Sequence, residues 1–415
     1  MQLAVSIAEV PGVDAEASVL SLIGDGTAEA ERLVGATRRQ RELAASRLDA
    51  VLPGYDSAGR ANRSGLDTLL VMTSDLALDA LADAPASVDA YLASGDLDDD
   101  RCQVVDDRTN RGRSVDRRLA TPKPGPTSAL NLDPYAGAAE LRANHTIVLN
   151  EAEHRLGPVA VDLCDDIAVA LRSHIQLNCY VSMGEAPGFG VHWDDHDVLI
   201  LQIAGRKYWE VEAPSELAPV KHVTPKGGSG DVVWSGVLGP GHVLAIPRGW
   251  PHSVQGLERE VSVHLTISIG RPSALGLLGQ LPPESLAPGT PFDTATLDGA
   301  FARWNAQLVA DPRNGPIEVL AAQAAGYVEH ELRVVWLGGV VFEPHRCTAD
   351  TIALVGPRGP FTIPRRSAAA LASTLERQWW TLDELCAEGG IDAEDAVALV
   401  DTLGDAGLVQ LRARG

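Results

Sequence analysis

The sequence predicts an α+β chain in which an antiparallel β-sandwich or barrel lies between helical regions. Three observations predict it. From about residue 145, short β-rich runs alternate with turn residues: HTIVLN, HIQLNCYVSM, DVLILQIAGRKYWEVE, GDVVWSGVL, GHVLAIP and VSVHLTISI. Even spacing of this kind belongs to antiparallel all-β architectures. Before these runs the chain is Ala-rich with helical stretches, and after Arg271-Pro272 helical composition returns. The chain has 415 residues, which is more than one ordinary domain needs.

Taken in order, residues 1–135 read as an N-terminal extension. It is helical over 27–50 (TAEAERLVGATRRQRELAASRLDA) and continues as a connector over 84–123. The connector holds an acidic cluster (Asp96, Asp98, Asp99, Asp100) and then an Arg-rich stretch. Between Arg101 and Lys123 basic residues outnumber acids seven to three. A solvated loop is the ordinary reading of such a run, and a mobile flap over a site is the sharper one. Residues 136–272 hold the β-rich block, interrupted by a helical pattern at VAVDLCDDIAVALRS. Residues 273–340 read as helical, with LGLLGQL, LDGAFARWNAQLVA and IEVLAAQAAGYVEHEL. Residues 341–415 form a small unit: strand-like TIALVG and FTIP, two or more helices, and a closing strand after Gly407. Helix, turn, helix and strand in that order match a winged helix.

Composition excludes several classes. A net charge of −22 argues against a general binder of nucleic acid or of anionic membranes and suits a cationic partner. The closing unit from Cys347 carries six Arg, no Lys and ten acids, so DNA recognition, which needs a basic face, is not expected of it. No apolar run of about 18 residues is present, so no membrane span is expected. The N-terminus lacks a basic stretch followed by a long apolar one, so a secretory leader is not expected either. Five scattered cysteines fit neither a CxxC metal site nor a disulfide framework, and point to a reducing cytoplasm.

One stretch carries chemistry: GFGVHWDDHDVLILQIAGRKYW, residues 188–209. His192 and Asp194 form a His-x-Asp at the expected start of a strand, where positions i and i+2 project to one face and can reach one metal. A third ligand on a later strand completes two histidines and a carboxylate, the facial triad of non-heme Fe(II) oxygenases. His252 fits, because the strand HVLAI stops at Pro247 and the turn PRGWP restricts the histidine that follows. Gly188 and Gly190 suit a tight entry to the motif. Lys207 follows a turn at Ala204-Gly205. A cation there suits the distal carboxylate of 2-oxoglutarate, and its neighbour Arg206 points to the opposite face of a regular strand. His196 and Asp197 are alternative ligands, and His264 reads as a packed, hydrogen-bonded histidine of the sheet interior. Trp193, Trp209, Trp234 and Trp250 read mainly as core or rim packing.

These stretches, with NCYVSMGEAPGFGVHWDDHDVLILQIAGRKYWEV and GHVLAIPRGWPHSVQGLEREVSVHLTISI quoted whole, resemble the JmjC-type 2-oxoglutarate oxygenases of the cupin superfamily, and among them the ribosomal oxygenases. The resemblance implies a double-stranded β-helix (jelly-roll) core. It implies His192, Asp194 and His252 as Fe(II) ligands and, by family spacing, Lys207 as the partner of 2-oxoglutarate. Asn178 and Ser268 fall on its co-substrate positions. Tyr180, Asp195 and Trp250 are expected on the substrate side, with Trp250 shielding the iron. The implied activity is hydroxylation of a side chain in a protein or peptide, a ribosomal protein or a natural-product precursor. The acidic surface suits a basic partner. A small-molecule substrate, or a non-catalytic cupin module, is the rival reading. The resemblance extends to a helical dimerisation region over 273–335, hence a homodimer, and to the winged helix. It does not extend to the first 130 residues, which lack the family's aromatic, Lys-Pro-containing opening.

Overall fold

The computed structural model describes residues 28–52, 70–73, 84–94, 102–106, 111–114, 120–122, 130–171, 173–185, 189–214, 227–270, 278–281, 300, 314–335, 341–342, 347–356 and 358–414. They fall into two compact units. One spans Arg47–Asp166 and Ile175–Arg271. The other combines the N-terminal residues up to Ser46, Ile167–His174 and Pro272–Gly415.

The first unit is built on two antiparallel sheets. In chain order its strands are β1 (Leu70–Thr73), β2 (Cys102–Asp106), β3 (Arg111–Ser114), β6 (Thr146–Leu149), β7 (His174–Met183), β8 (Asp197–Ala204), β9 (Lys207–Glu212), β10 (Val232–Leu238), β11 (His242–Ile246), β12 (His252–Gly256) and β13 (Val261–Gly270), with a separate short pair, β4 (Ala120–Pro122) and β5 (Leu130–Leu132). Among the described residues the large sheet runs β1-β11-β8-β13-β7-β6-β2-β3 and the small one β10-β9-β12. Strand β7 illustrates why the sequence folds this way. Leu177, Cys179 and Val181 alternate onto one buried face. The intervening Gln176, Asn178, Tyr180 and Ser182 turn to the other face and line a cavity, as a period of two requires. Strand β8, apolar apart from Asp197 and Gln202, is buried between β11 and β13. An apolar cluster of Val198, Ile200, Trp209, Val211, Leu238, Leu244 and Ile246 closes the barrel. Gly205 makes the β8–β9 turn with φ +62°, and a Cβ there would lie 2.2 Å from the Val261 carbonyl oxygen, so only glycine fits.

The barrel is wider in sequence than the block 136–272. Strands β1, β2 and β3 come from the stretch expected to be a helical extension and connector, and they form both edges of the large sheet. The expected boundary at 136 is corrected accordingly. Edge strands have one ladder partner, so short polar runs such as RGRS suffice and carry little hydrophobic signal. The remainder of the Arg-rich segment lies outside the described residues. The helical reading of VAVDLCDDIAVAL holds, within a helix over Pro158–Leu171.

The second unit packs helix α1 (Ala28–Val51, its residues up to Ser46) with elements near the C-terminus. Gln40 donates to the Val334 carbonyl at 2.7 Å, and Leu33 and Ala36 enter one apolar cluster with Leu371, Trp380, Leu399 and Leu403. Residues 1–135 are therefore divided between two units rather than forming one extension. The C-terminal segments form as read: strands Thr351–Gly356 and Gly359–Pro364, helices Ala368–Thr374, Leu382–Gly389 and Ala393–Asp405, and strand Val409–Ala413. Thr381 and Glu384 build a reciprocal cap at the Leu382 helix, and Gly390 ends it at φ +66°. Of 273–335, the described part includes helix Pro316–Ala324 and strand His330–Val334. Leu275, Phe301 and Trp304 lie outside the described residues. No described helix is long and apolar enough to cross a membrane.

Candidate active site

A cavity of about 270 Å³ lies between the two sheets of the first unit. The large sheet contributes Thr146, residues of β7, Val198, and His264, Thr266 and Ser268 of β13. The small sheet contributes Lys207 and Trp209 of β9 with His252 and Val254 of β12. His192, Asp194 and His252 converge in its wall, with one potential ligand atom from each lying within 4.8 Å of the others. Asp194 Oδ2 is 3.6 Å from His252 Nε2 and 4.0 Å from His192 Nε2.

The convergence has a different local cause from the one expected. The His-x-Asp does not lie inside a strand, since β8 begins at Asp197. Instead His192 and His252 form a two-residue bridge, each donating its backbone N–H to the other's carbonyl, at 3.1 and 2.8 Å. Each imidazole also presents Nδ1 to the carbonyl two residues before it, Gly190 for His192 and Trp250 for His252, both at 3.0 Å. A donated Nδ1–H fixes the tautomer and leaves Nε2 to face the neighbouring carboxylate. Burial, and then the neighbouring His192, pull the His252 pKa down to about 4, with Asp194 opposing. His252 is therefore neutral at physiological pH, as ligation requires.

Lys207 is 2 % exposed. Among the described residues its ammonium group donates to His264 Nδ1 at 2.7 Å and has no carboxylate partner. Burial holds its pKa down, from 10.5 to about 7, with Cys179 opposing. Arg206, on the other face, is exposed and pairs with Glu260 at 3.0 Å. The facing of the strand is thus the one expected. Asn178, Tyr180 and Ser268 all line the cavity with Lys207. The Asn178 amide oxygen accepts from Gln176 and from the Glu151 N–H, both at 3.2 Å.

Two expected substrate-side residues are placed elsewhere. Asp195 is outside the cavity lining and forms an ion pair with Arg248 at 2.5 Å. Trp250 is also outside it and packs against the barrel's apolar cluster, while its carbonyl holds His252. Sequence reasoning missed Gln176, Ser182, Phe189 and Gln255 in the lining. The period-two pattern of β7 could have found the first two. His264, expected only as a packed histidine, lies against both Lys207 and Tyr180.

Residues 156–277 match the family model described as the JmjC domain. A Caenorhabditis elegans protein described as a bifunctional lysine-specific demethylase and histidyl-hydroxylase NO66 is 33% identical over 132 residues, covering 30% of this chain and 18% of that protein. A Drosophila pseudoobscura pseudoobscura protein of the same description is 31% identical over 157 residues, covering 34% and 17%. The chain thus spans less than a fifth of the length of these relatives. The X-ray structure of E. coli ycfD superposes with a TM-score of 0.50 at 15% identity, covering 85% of this chain and 97% of that one, which extends the likeness of fold beyond the barrel. The segment similar to the JmjC domain family, residues 156–277, is the one that supplies strands β7–β13 of the two antiparallel sheets.

Proposed function

We propose that the chain is an Fe(II)- and 2-oxoglutarate-dependent oxygenase that hydroxylates a side chain of a protein or peptide. The observation that carries this reading is one cavity holding both a His192–Asp194–His252 cluster and a buried Lys207 with no carboxylate partner among the described residues. Two neutral imidazoles and a carboxylate are the donor set of a non-heme iron site. A desolvated cation without an anion is the counterpart a dicarboxylate needs. The Trp209 indole N–H is buried in the same wall with no acceptor among the described residues, a second donor that a bound oxyanion can satisfy. The JmjC match and the relatives described as histidyl-hydroxylases support the same class.

In this reading His192, Asp194 and His252 hold iron, Lys207 anchors the distal carboxylate, and Asn178 and Ser268 line the co-substrate end. When bound, the metal and 2-oxoglutarate supply oxidative decarboxylation coupled to insertion of one oxygen atom into a C–H bond. The chain's share is positional. Backbone carbonyls orient both imidazoles, β9 delivers the cation, and the apolar cluster behind Trp209 keeps water from the barrel floor. Tyr180 borders the space left for the target side chain. Apart from His196 and His264, the rest of the polar lining, Thr146, Gln176, Ser182, Gln255 and Thr266, carries no ionisable group, which favours an uncharged target group. The net charge of −22 favours a basic protein to present it. The helix order before strand Val409–Ala413 supports a winged helix over 341–415. Half-exposed Leu278 is consistent with a homodimer through 273–340, and the cysteine pattern with a cytoplasmic protein.

The test is peptide mass spectrometry of basic proteins, ribosomal proteins first, incubated with the chain, Fe(II) and 2-oxoglutarate. The expected result is a gain of one oxygen atom on a side chain, absent when 2-oxoglutarate is omitted. A small molecule oxidised in place of every protein would support the rival substrate class. Metal binding without any 2-oxoglutarate turnover would support a non-catalytic cupin.

A further inference from the structure

We infer that His264 is a positioning residue, a neutral clamp that holds the Lys207 ammonium group at the cavity floor; the inference rests on the proposed role of Lys207. The geometry is specific. Lys207 lies on β9 of the small sheet and His264 on β13 of the large one, so the 2.7 Å Nζ···Nδ1 hydrogen bond crosses the barrel interior. The imidazole cannot turn away. It stacks on Tyr180 with ring centres 4.7 Å apart and planes 1° apart, and meets Trp209 edge-on at 5.3 Å and 77°. An ammonium group has donors only, so Nδ1 accepts and the imidazole proton sits on Nε2.

The choice of partner matters chemically. A carboxylate at this place would orient Lys207 equally well but would also cancel its charge, and an incoming dicarboxylate would then have to displace it. A neutral acceptor fixes the direction of the ammonium group and leaves its charge uncompensated. Burial and the adjacent Lys207 hold the His264 pKa well below its ordinary value, so the clamp stays neutral. The Cys179 thiol, which also lies near Lys207, is pushed up to about 12 by burial and is neutral too. His264 thus links the anchor to Tyr180 without touching the metal cluster.

The experiment compares wild type with His264→Phe, which keeps a ring against Tyr180 but removes the acceptor, and His264→Asn, which restores one. Affinity for 2-oxoglutarate is measured calorimetrically on the Mn(II)-loaded full chain. The Lys207 titration is followed by NMR of lysine labelled at Cε. Losing a hydrogen bond to a charged group predicts about 10- to 100-fold weaker binding in His264→Phe. Mn(II) affinity should be unchanged and the Lys207 pKa lower, with His264→Asn recovering most of both. The inference is overturned if His264→Phe binds 2-oxoglutarate as wild type does and the Lys207 titration does not move. The NMR titration needs no co-substrate. A wild type that fails to bind 2-oxoglutarate would therefore sink the functional reading, while the Lys207 shift still decides the clamp. Should His264→Phe not fold, nitrogen-15 NMR of the wild-type imidazole gives the same decision, because a proton on Nδ1 contradicts the clamp and a proton on Nε2 is the expected result.

Discussion

Replacing Lys207 by Met keeps the length of a buried side chain and removes its charge, which isolates the proposed electrostatic anchor. Lys207 is 2 % exposed and has no carboxylate partner among the described residues, so a bound carboxylate would form its one ion pair. Leaving that carboxylate buried and unpaired costs about 2–4 kcal/mol. At about 1.4 kcal/mol per decade this is roughly 30- to 1,000-fold in 2-oxoglutarate affinity. The control is Arg206→Ala on the opposite face. Its exposed pair with Glu260 is worth at most about 1 kcal/mol, and co-substrate affinity should not change. The pH dependence follows from the same burial. With a pKa of about 7 before binding, Lys207 loses its proton as pH rises through 7, and binding a carboxylate must then recover it. Affinity should be level below pH 7 and fall by up to about tenfold per unit above it. Calorimetry on the Mn(II)-loaded protein in buffers of different ionisation enthalpy measures both affinity and proton uptake. A Lys207→Met protein that binds within threefold of wild type, or greater damage from Arg206→Ala, would refute the reasoning.

Three further outcomes are expected. His252→Ala should weaken Mn(II) binding by more than about 100-fold, read by electron paramagnetic resonance, because it removes one imidazole of the three-residue cluster while leaving the backbone bridge to His192 in place. Gly205→Ala should destabilise the fold by about 2 kcal/mol or more in urea unfolding, since φ +62° and the Val261 carbonyl at 2.2 Å both oppose a Cβ. Thr381→Ala should cost about 0.5–2 kcal/mol by removing the reciprocal cap with Glu384, and should leave metal binding unchanged.

The convergence of His192, Asp194 and His252 was legible because its spacing is local on one side, His192 to Asp194, and marked by a rigid Pro-Arg-Gly-Trp-Pro turn on the other. Strand periodicity set Lys207 and Arg206 on opposite faces, and the family resemblance chose Lys207 as the inward one. What escaped was non-local. Strand β1 pairs with β11 and β2 with β6, far along the chain, while β3 joins the sheet only through β2, and these short runs owe their conformation to the ladder rather than to propensity. Helix α1 belongs with the C-terminal elements through contacts such as Gln40 with Val334, which no local pattern encodes. Asp195 and Trp250 were misplaced for the opposite reason. Adjacency to a ligand in sequence was read as adjacency in space, while each side chain follows a contact of its own, Asp195 with Arg248 and Trp250 with the barrel's apolar cluster. His264 was read as a packed histidine, and it is one. Its bond to Lys207 joins two sheets and becomes visible only once the barrel is closed.

The account rests on the cavity turning over 2-oxoglutarate, and the most direct measurement is succinate production by the Fe(II)-loaded chain under air, followed by proton NMR without any added protein substrate. Slow uncoupled conversion of 2-oxoglutarate to succinate is predicted for wild type, lost in His252→Ala and recovered in Lys207→Met only at raised co-substrate concentration. A chain that holds one iron per molecule and yields no succinate, or a His252→Ala chain that yields as much as wild type, would contradict it.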